Sequence, residues 1–503
     1  MIRNILCYLE DANEKCPDKR AYFDEKISLT YGDVYNISKR IGSKVAHRIK
    51  VVRRPVLVYI DKSPYALCAF WGVTYSGNFY VPSDTGMPEY RLNLIAENLK
   101  PAAVITDMAH YDTARSFCDN VILLEEAMES EIDNELLGSV RNRTLDTDPL
   151  YVLYTSGSTG VPKGVVVSHS SLIDYVEAFC NEIPLCSDDI IANQAPFYFD
   201  ASLIDIYCTL RNHATMGIVP LPYFSIPMQL LNYLEDNRIT ALRWVPSAMK
   251  MVETFKGFKT IKPQYLKTVI FGAEAMPTKC YNYWKANYPE VTFVQIYGPT
   301  EITGVCTYYI VDREFEDSET IPIGNPFYNT DVFLIDDDGL QIKRANVTGE
   351  ICVRGACLAL GYYNSPEKTK EVFVQNPLNK SYPERIYKTG DLAKYNEFGE
   401  LVFMSRKDYQ IKHMGHRIEL GEIETVASSL AGVRNVCCLF EEKKQKIVMF
   451  YESDILDETQ LSEELKKRLV RYMVPNQYKR MDSLPLLKSG KVDRQTLKND
   501  LNN

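Results

Sequence analysis

Through the first 140 residues, short unbroken apolar runs alternate with stretches of helical periodicity, as at residues 56–60, then 65–75, then 102–106. That alternation predicts a doubly wound α/β layer built on a parallel sheet. Residues 150–153 and 165–167 read as strands on either side of a loop, and Ser170 as a helix cap. Residues 190–195 then read as a strand and 201–210 as a helix, with further strands at 241–245, 268–272 and 291–294. A second α/β subdomain is therefore predicted. From about residue 321 the runs shorten and turn signals multiply, as at Asp336-Asp337-Asp338-Gly339, which predicts a small β-barrel. The last hundred residues predict a compact α+β unit with helices at 419–430 and 459–472.

Length and charge narrow the classes. A chain of 503 residues exceeds one hydrophobic core and implies two or more domains. With 46% hydrophobic and 24% charged residues, long disorder is not expected. A net charge of −9 argues against nucleic acid as the main partner, because phosphate backbones are bound by clustered positive charge. The first ten residues reach Glu10-Asp11 with no secretory pattern, and no apolar run approaches the roughly 20 residues that span a bilayer. A cytoplasmic chain without membrane insertion is expected. The thirteen cysteines form no C-x-x-C pair and fit reduced thiols. His413 and His416 lie close together, but without neighbouring cysteines they make a poor metal site.

The loop between the strands at 150–153 and 165–167 carries the first chemistry: Tyr154-Thr155-Ser156-Gly157-Ser158-Thr159-Gly160-Val161-Pro162-Lys163-Gly164. Its glycines let backbone N–H groups turn toward an anion, its hydroxyls add donors and Lys163 adds a compact positive charge. A Walker loop requires Gly-Lys-Ser/Thr directly before a helix; here Pro162 precedes the lysine and a strand follows. The competing reading is a Gly/Ser surface turn.

The string resembles the phosphate-loop signature of the adenylate-forming superfamily, which includes acyl-CoA synthetases, firefly luciferase and the adenylation domains of nonribosomal peptide synthetases. Further motifs follow in that family's order. Ile296-Tyr297-Gly298-Pro299-Thr300-Glu301 ends a predicted strand, where open α/β sheets place ligands. Here the resemblance implies adenine stacking for Tyr297, α-phosphate contact for Thr300 and Mg²⁺ binding for Glu301. Tyr387-Lys388-Thr389-Gly390-Asp391 places Asp391 on the ribose hydroxyls, and Arg406 matches a nucleotide-contacting arginine with Ser405 where glycine is usual. Asn78 likewise stands where a second glycine is usual. The implied ATP site comprises Thr155, Ser156, Gly157, Ser158, Thr159, Gly160, Lys163, Gly272, Ala273, Glu274, Gln295, Ile296, Tyr297, Gly298, Thr300, Asp391 and Arg406. Leu487-Lys488-Ser489-Gly490-Lys491-Val492-Asp493-Arg494 resembles the loop presenting the family's catalytic lysine, here Lys491, with Thr300 and Glu301 as further catalytic residues. The family's organisation implies an adenylation core over residues 1–405, a hinge at 406–408 centred on Asp408, and a C-terminal lid over 409–503.

Phe197-Tyr198-Phe199-Asp200-Ala201-Ser202 bears on the substrate. An acidic residue in apolar surroundings is costly to bury unless it meets a cation, and an amino acid's α-ammonium is one. Asp200 matches the aspartate of adenylation domains and of D-alanine:D-alanyl carrier protein ligases, although a helix N-cap is the competing reading. The implied substrate pocket is Asp200, Ala201, Ile204, Trp244, Ile270, Gly272, Ile296, Gly304 and Val305. It contains no charge besides Asp200, so a small or aliphatic side chain is expected, with room at Gly272 and Gly304 reduced by Trp244. The expected function is ATP- and Mg²⁺-dependent adenylation of such an amino acid by a monomer. Transfer follows to the phosphopantetheine thiol of a separate carrier protein. D-Alanine activation specifically, an acyl- or aryl-CoA synthetase and a catalytically silent scaffold remain open.

Overall fold

The computed structural model describes residues 2–157, 160–442, 444–486 and 492–502. They form two compact units. One comprises Met1–Thr85, Leu99–Leu153 and Gly164–Lys407; the other comprises Gly86–Asn98, Tyr154–Lys163 and Asp408–Asn503.

Two large sheets organise the first unit. In one, the strands run in the order Gly361–Tyr362, Lys163–Ser168, Pro149–Thr155, Phe79–Pro82, Pro55–Tyr59, Ala103–Thr106 and Val121–Leu123. In the other, Thr292–Tyr297, Thr268–Gly272, Ala241–Trp244, Ile190–Asn193, Thr215–Ile218 and Arg20–Phe23 lie parallel, with antiparallel strands added at both edges. Both are largely parallel and their central strands are buried on both faces, which explains the unbroken apolar runs. The segment expected as a small β-barrel forms an antiparallel sheet in the order Gln341–Ile342, Thr330–Ile335, Thr348–Gly355, Arg385–Tyr395 and Phe373–Gln375, with Leu401–Arg406 also paired to Arg385–Tyr395.

The register of the second sheet decides which side chains face the candidate site. Arg243 pairs with Ile270 and Ile270 with Val294, whereas Trp244 pairs with Phe271 and Phe271 with Gln295. Paired residues point to the same face and successive ones to opposite faces. Ile270, Val294 and Ile296 therefore join a core cluster with Leu203, Ile204 and Tyr175. Leu242, Trp244, Val269, Phe271 and Phe293 join a separate cluster with Met249, Tyr281 and Trp284.

Two local expectations change. Helix His169–Glu182 is capped by Ser168, not Ser170: the Ser168 hydroxyl accepts from the Ser171 N–H, and a capping side chain must sit just before the first helical residue to reach that donor. The segment expected as one helix over 459–472 is helix Glu458–Lys466 followed by a 3₁₀ turn, Arg471–Met473. Asn78 is buried and works as a polar clamp: its Oδ1 accepts from the Arg54 N–H at 2.9 Å and its Nδ2 donates to Ser76.

In the second unit, strands Val433–Glu441, Lys446–Ser453 and Gln477–Arg480 form a sheet, and Gln410–His413 with His416–Glu419 a hairpin. Helices Leu420–Ser428 and Glu458–Lys466 contribute Ile423, Val426, Leu461 and Leu465 to its core.

Candidate active site

Within the first unit, the Thr292–Tyr297 strand delivers Tyr297 to a buried polar cluster. The Tyr297 hydroxyl donates to Asp391 Oδ2, and Arg406 Nη1 donates to Asp391 Oδ1. Arg406 Nη2 also donates to the Thr389 carbonyl at 3.3 Å. Asp391 is 1% exposed, so its charge is balanced by Arg406 in a low-dielectric setting. Burial raises the Tyr297 phenol well above its usual range, with the Asp391 charge acting in the same direction. Gln295 donates Nε2 to the Ile321 carbonyl at 3.3 Å, while its buried Oε1 has no hydrogen-bond partner. Ala273 adopts φ +68°, a left-handed conformation uncommon for alanine, directly after strand Thr268–Gly272. Glu274 Oε2 accepts from the Ser247 N–H at 3.0 Å.

Gly298 is required by close approach: a Cβ there would lie 2.5 Å from the Gly304 carbonyl and 2.6 Å from Val305 Cα. This draws the 303–306 loop against the end of the strand. The loop is itself unusual, with Thr303 at φ +69° and Gly304 at φ +120°. Glu301 is fully buried and its Oε1 accepts from the Tyr362 hydroxyl at 2.7 Å. Among the described residues no group of three or more His, Cys, Asp or Glu could form a metal cage. A single hard carboxylate fits a Mg²⁺ that arrives largely coordinated by substrate phosphates and water.

Asp200 precedes helix Ala201–Asn212 but does not cap it: the residue has helical φ/ψ and makes no side-chain capping bond. Instead its Oδ2 accepts from the Thr300 hydroxyl at 2.5 Å, across 100 residues of sequence. Ala201 is buried, Ile204, Ile270, Ile296 and Val305 belong to one core cluster, and a Cβ on Gly304 would come within 3.9 Å of both the Asp200 carbonyl and the Tyr175 hydroxyl.

Two of the implied pocket residues do not fit. Trp244 is fully buried on the opposite face of the sheet, its ring edge-on to Phe224 and Trp284, and the residue that the strand turns toward Ile270 is Arg243. Gly272 offers no room: a Cβ there would lie 2.4 Å from the Ile296 carbonyl oxygen on the neighbouring strand. Gly272→Ala is therefore expected to lower the unfolding free energy by about 1–3 kcal/mol, as overpacking does. A urea melt reads this as a lower midpoint at unchanged slope, and an unchanged midpoint would refute the close approach. Arg243, absent from the expected lining, is 4% exposed on the face of the sheet that carries Ile270.

Sequence reasoning missed Arg243, Asn193 and Tyr175. The available signal was a charged residue inside the apolar run 241–245, where burial without purpose is costly.

Of the phosphate loop, Ser158 and Thr159 lie outside the described residues, as does Lys491. The rest belongs to the second unit. Gly157 is needed where it stands, since a Cβ would meet the Val161 carbonyl oxygen at 2.1 Å. Its N–H donates to Glu422 Oε2 at 3.0 Å, and Lys163 Nζ lies 3.5 Å from Glu419 Oε1. Ser156 Oγ donates to the Arg417 carbonyl at 2.9 Å, and the Thr155 hydroxyl reaches the Lys163 carbonyl at 3.4 Å. Gly160 adopts φ +80° beside Thr425. The loop's backbone donor and its lysine thus face carboxylate oxygens, the same class of ligand oxygen that a phosphate presents.

The chain matches the AMP-binding enzyme family over residues 9–363. It is 30% identical to Zwittermicin A synthase ZmaJ of Bacillus cereus across 97% of this chain and 93% of that one. It is 28% identical to the D-alanine–D-alanyl carrier protein ligase of Bacillus licheniformis across 96% of this chain and 97% of that one. It also matches far longer relatives, of which it spans 8%, 6% and 13%. Among solved structures, holo-PA1221, an NRPS protein containing adenylation and PCP domains, shares the fold with a TM-score of 0.85 over 99% of this chain and 84% of that one, at 21% identity. No helix among the described residues is long and apolar enough to cross a membrane. With this architecture and these motifs, the chain belongs to the AMP-binding enzyme family and is an adenylate-forming ligase that uses ATP.

Proposed function

We propose that this enzyme adenylates an amino acid and passes the aminoacyl group to the phosphopantetheine thiol of a carrier protein. The observation that carries the reading is Asp200: a partly buried carboxylate that does not cap its helix and accepts from the Thr300 hydroxyl. The α-ammonium of an amino acid is a cation that such a carboxylate can bind, whereas a fatty or aryl acid gains nothing from it. Relatives that include a D-alanine–D-alanyl carrier protein ligase support a carrier protein as acceptor.

In the first half-reaction an oxygen of the substrate carboxylate attacks the α-phosphorus of ATP. The new O–P bond forms as the bond to the β-phosphate bridge breaks, and pyrophosphate leaves. Asp391 receives the ribose hydroxyls, Tyr297 offers its ring to adenine, and Thr300 sits between the Asp200 carboxylate and the α-phosphate. By resemblance, Lys491 supplies the positive charge that stabilises two anions as they approach. Mg²⁺ held by Glu301 and the phosphates would neutralise charge on the leaving pyrophosphate. In the second half-reaction the carrier thiolate attacks the acyl carbon and AMP departs.

ATP–pyrophosphate exchange with the amino acids in both enantiomers, against fatty and aryl acids, tests the reading. Exchange with an amino acid supports it; exchange confined to other acids overturns it.

The boundary between the units falls between Lys407 and Asp408, and we assign Asp408 as the pivot for the residues after it. The Lys407 N–H donates to the Gly390 carbonyl at 2.8 Å, and Asp408 Oδ1 accepts from the Gln410 N–H at 3.2 Å. A pivot absorbs backbone change that proline forbids by fixing φ. Asp408→Pro is expected to keep pyrophosphate exchange while slowing carrier loading by roughly tenfold or more. Loading at the wild-type rate would contradict the pivot.

A further inference from the structure

The core beside Tyr175 contains a buried cation with unpaired donors. Arg243 is 4% exposed, and its Nε and Nη1 are buried with no hydrogen-bond partner. It shares its face of the sheet with Ile270, on the side of the core that holds Ile204 and Tyr175. The field of Arg243 reaches the Tyr175 phenol, as does that of Asp200, and the Gly304 position lies 3.9 Å from both the Tyr175 hydroxyl and the Asp200 carbonyl.

Arg243 Nε and Nη1 donate to neither of the aspartates nearby. Asp200 accepts from the Thr300 hydroxyl. Asp205, fully buried one turn further along the same helix, accepts through Oδ2 from Asn193 Nδ2 at 2.7 Å, and its Oδ1 has no partner. Burial pushes the Asp205 carboxyl up to about 7 against the pull of Arg243, Asn193 and Lys62. Lys62 adds a second buried amine to the group: its Nζ donates to the Gln194 carbonyl at 3.1 Å, and burial lowers it to about 7. It also lines a cavity of about 550 Å³ with Phe197, Tyr198 and Gln194. Other orphaned donors stand close by. The Tyr175 and Tyr151 hydroxyls are buried without partners, and Tyr151 too feels the Asp200 charge.

A guanidinium is always charged, and two N–H groups along one of its edges, Nε with Nη2 or Nη1 with Nη2, form a planar fork that matches the two oxygens of a carboxylate. We propose that the amino acid activated here carries a second carboxylate, in its side chain, and that Arg243 receives it while Asp200 receives the α-ammonium. The inference rests on the adenylation reading and replaces the aliphatic substrate expected from sequence. The α-carboxylate then remains as the group that attacks ATP, so one enzyme distinguishes two carboxylates by the positions of Asp200 and Arg243. Tyr175 and Tyr151 are placed to supply further donors.

Pyrophosphate exchange tests this with both enantiomers of aspartate, glutamate and 2-aminoadipate, beside asparagine, glutamine, alanine and leucine. The expected result is a dicarboxylic amino acid whose kcat/KM exceeds that of its amide by at least about tenfold. Arg243→Leu should bring the ratio to within about threefold, and Arg243→Lys, which keeps the charge but not the fork, should retain part of it. A neutral amino acid leading in the wild-type profile overturns the inference and leaves the adenylation reading standing. So does an unchanged acid-to-amide ratio in folded Arg243→Leu. Silence with every amino acid overturns both. If Arg243→Leu does not fold, the wild-type profile decides the matter.

Discussion

Asp200→Asn is expected to reduce amino-acid-dependent pyrophosphate exchange by about 10²–10³-fold in kcat/KM, the scale of removing one partner from a buried ion pair. The substitution preserves shape and leaves an amide that can still meet Thr300, whose hydroxyl donates to Asp200 Oδ2. What it removes is the charge that an incoming ammonium would meet once water is displaced. ATP binding, measured separately by equilibrium titration, should change little, because Asp391, Tyr297 and Arg406 form their own hydrogen-bonded cluster. A loss below tenfold would show that Asp200 is structural. A large loss confined to ATP affinity would place it at the nucleotide instead.

Lys491→Ala is expected to slow adenylation by about 10²-fold or more, as loss of one preorganised electrostatic group does. Two anions, the substrate carboxylate and the α-phosphate, must approach each other in that step, and a positive charge between them is worth most in the transition state. Thiol attack on a preformed adenylate breaks an acyl–phosphate bond and brings no second anion to the phosphorus, so this half-reaction should be far less affected. Single-turnover measurements of the two steps separate them. Equal losses in both would withdraw the assignment of Lys491.

Much of this protein was legible before any coordinates. The apolar runs at 56–60 and 102–106 appear as strands Pro55–Tyr59 and Ala103–Thr106, and the runs at 241–245 and 268–272 as Ala241–Trp244 and Thr268–Gly272. Helical periodicity at 65–75 and 201–210 likewise became Pro64–Tyr75 and Ala201–Asn212. Chain-local physics suffices there: strand and helix repeats depend on near neighbours, and so do the glycines that the tight 154–164 loop requires. The motifs bearing Asp391, Tyr297 and Glu301 were readable for the same reason, since each is a contiguous string.

Only the tertiary structure decided which residues of the 241–245 strand share a face with Ile270. A strand buried on both faces shows no polar alternation, so its sequence does not reveal which phase points to the ligand. The pairing of Arg243 with Ile270 and of Trp244 with Phe271 set that phase and put Arg243, not Trp244, on the face of Ile270. The pairing of Asp200 with Thr300 could not be foreseen either, because it joins a helix start to a strand end 100 residues away. Gly272 shows the same limit. Glycine in a sequence signals permissive backbone or missing volume alike, and only the Ile296 carbonyl 2.4 Å from its Cβ position shows that the missing volume is already filled. Periodicity is a local property and determined the elements, whereas register and close approach are set between segments distant in sequence, and these determined the chemistry of the site.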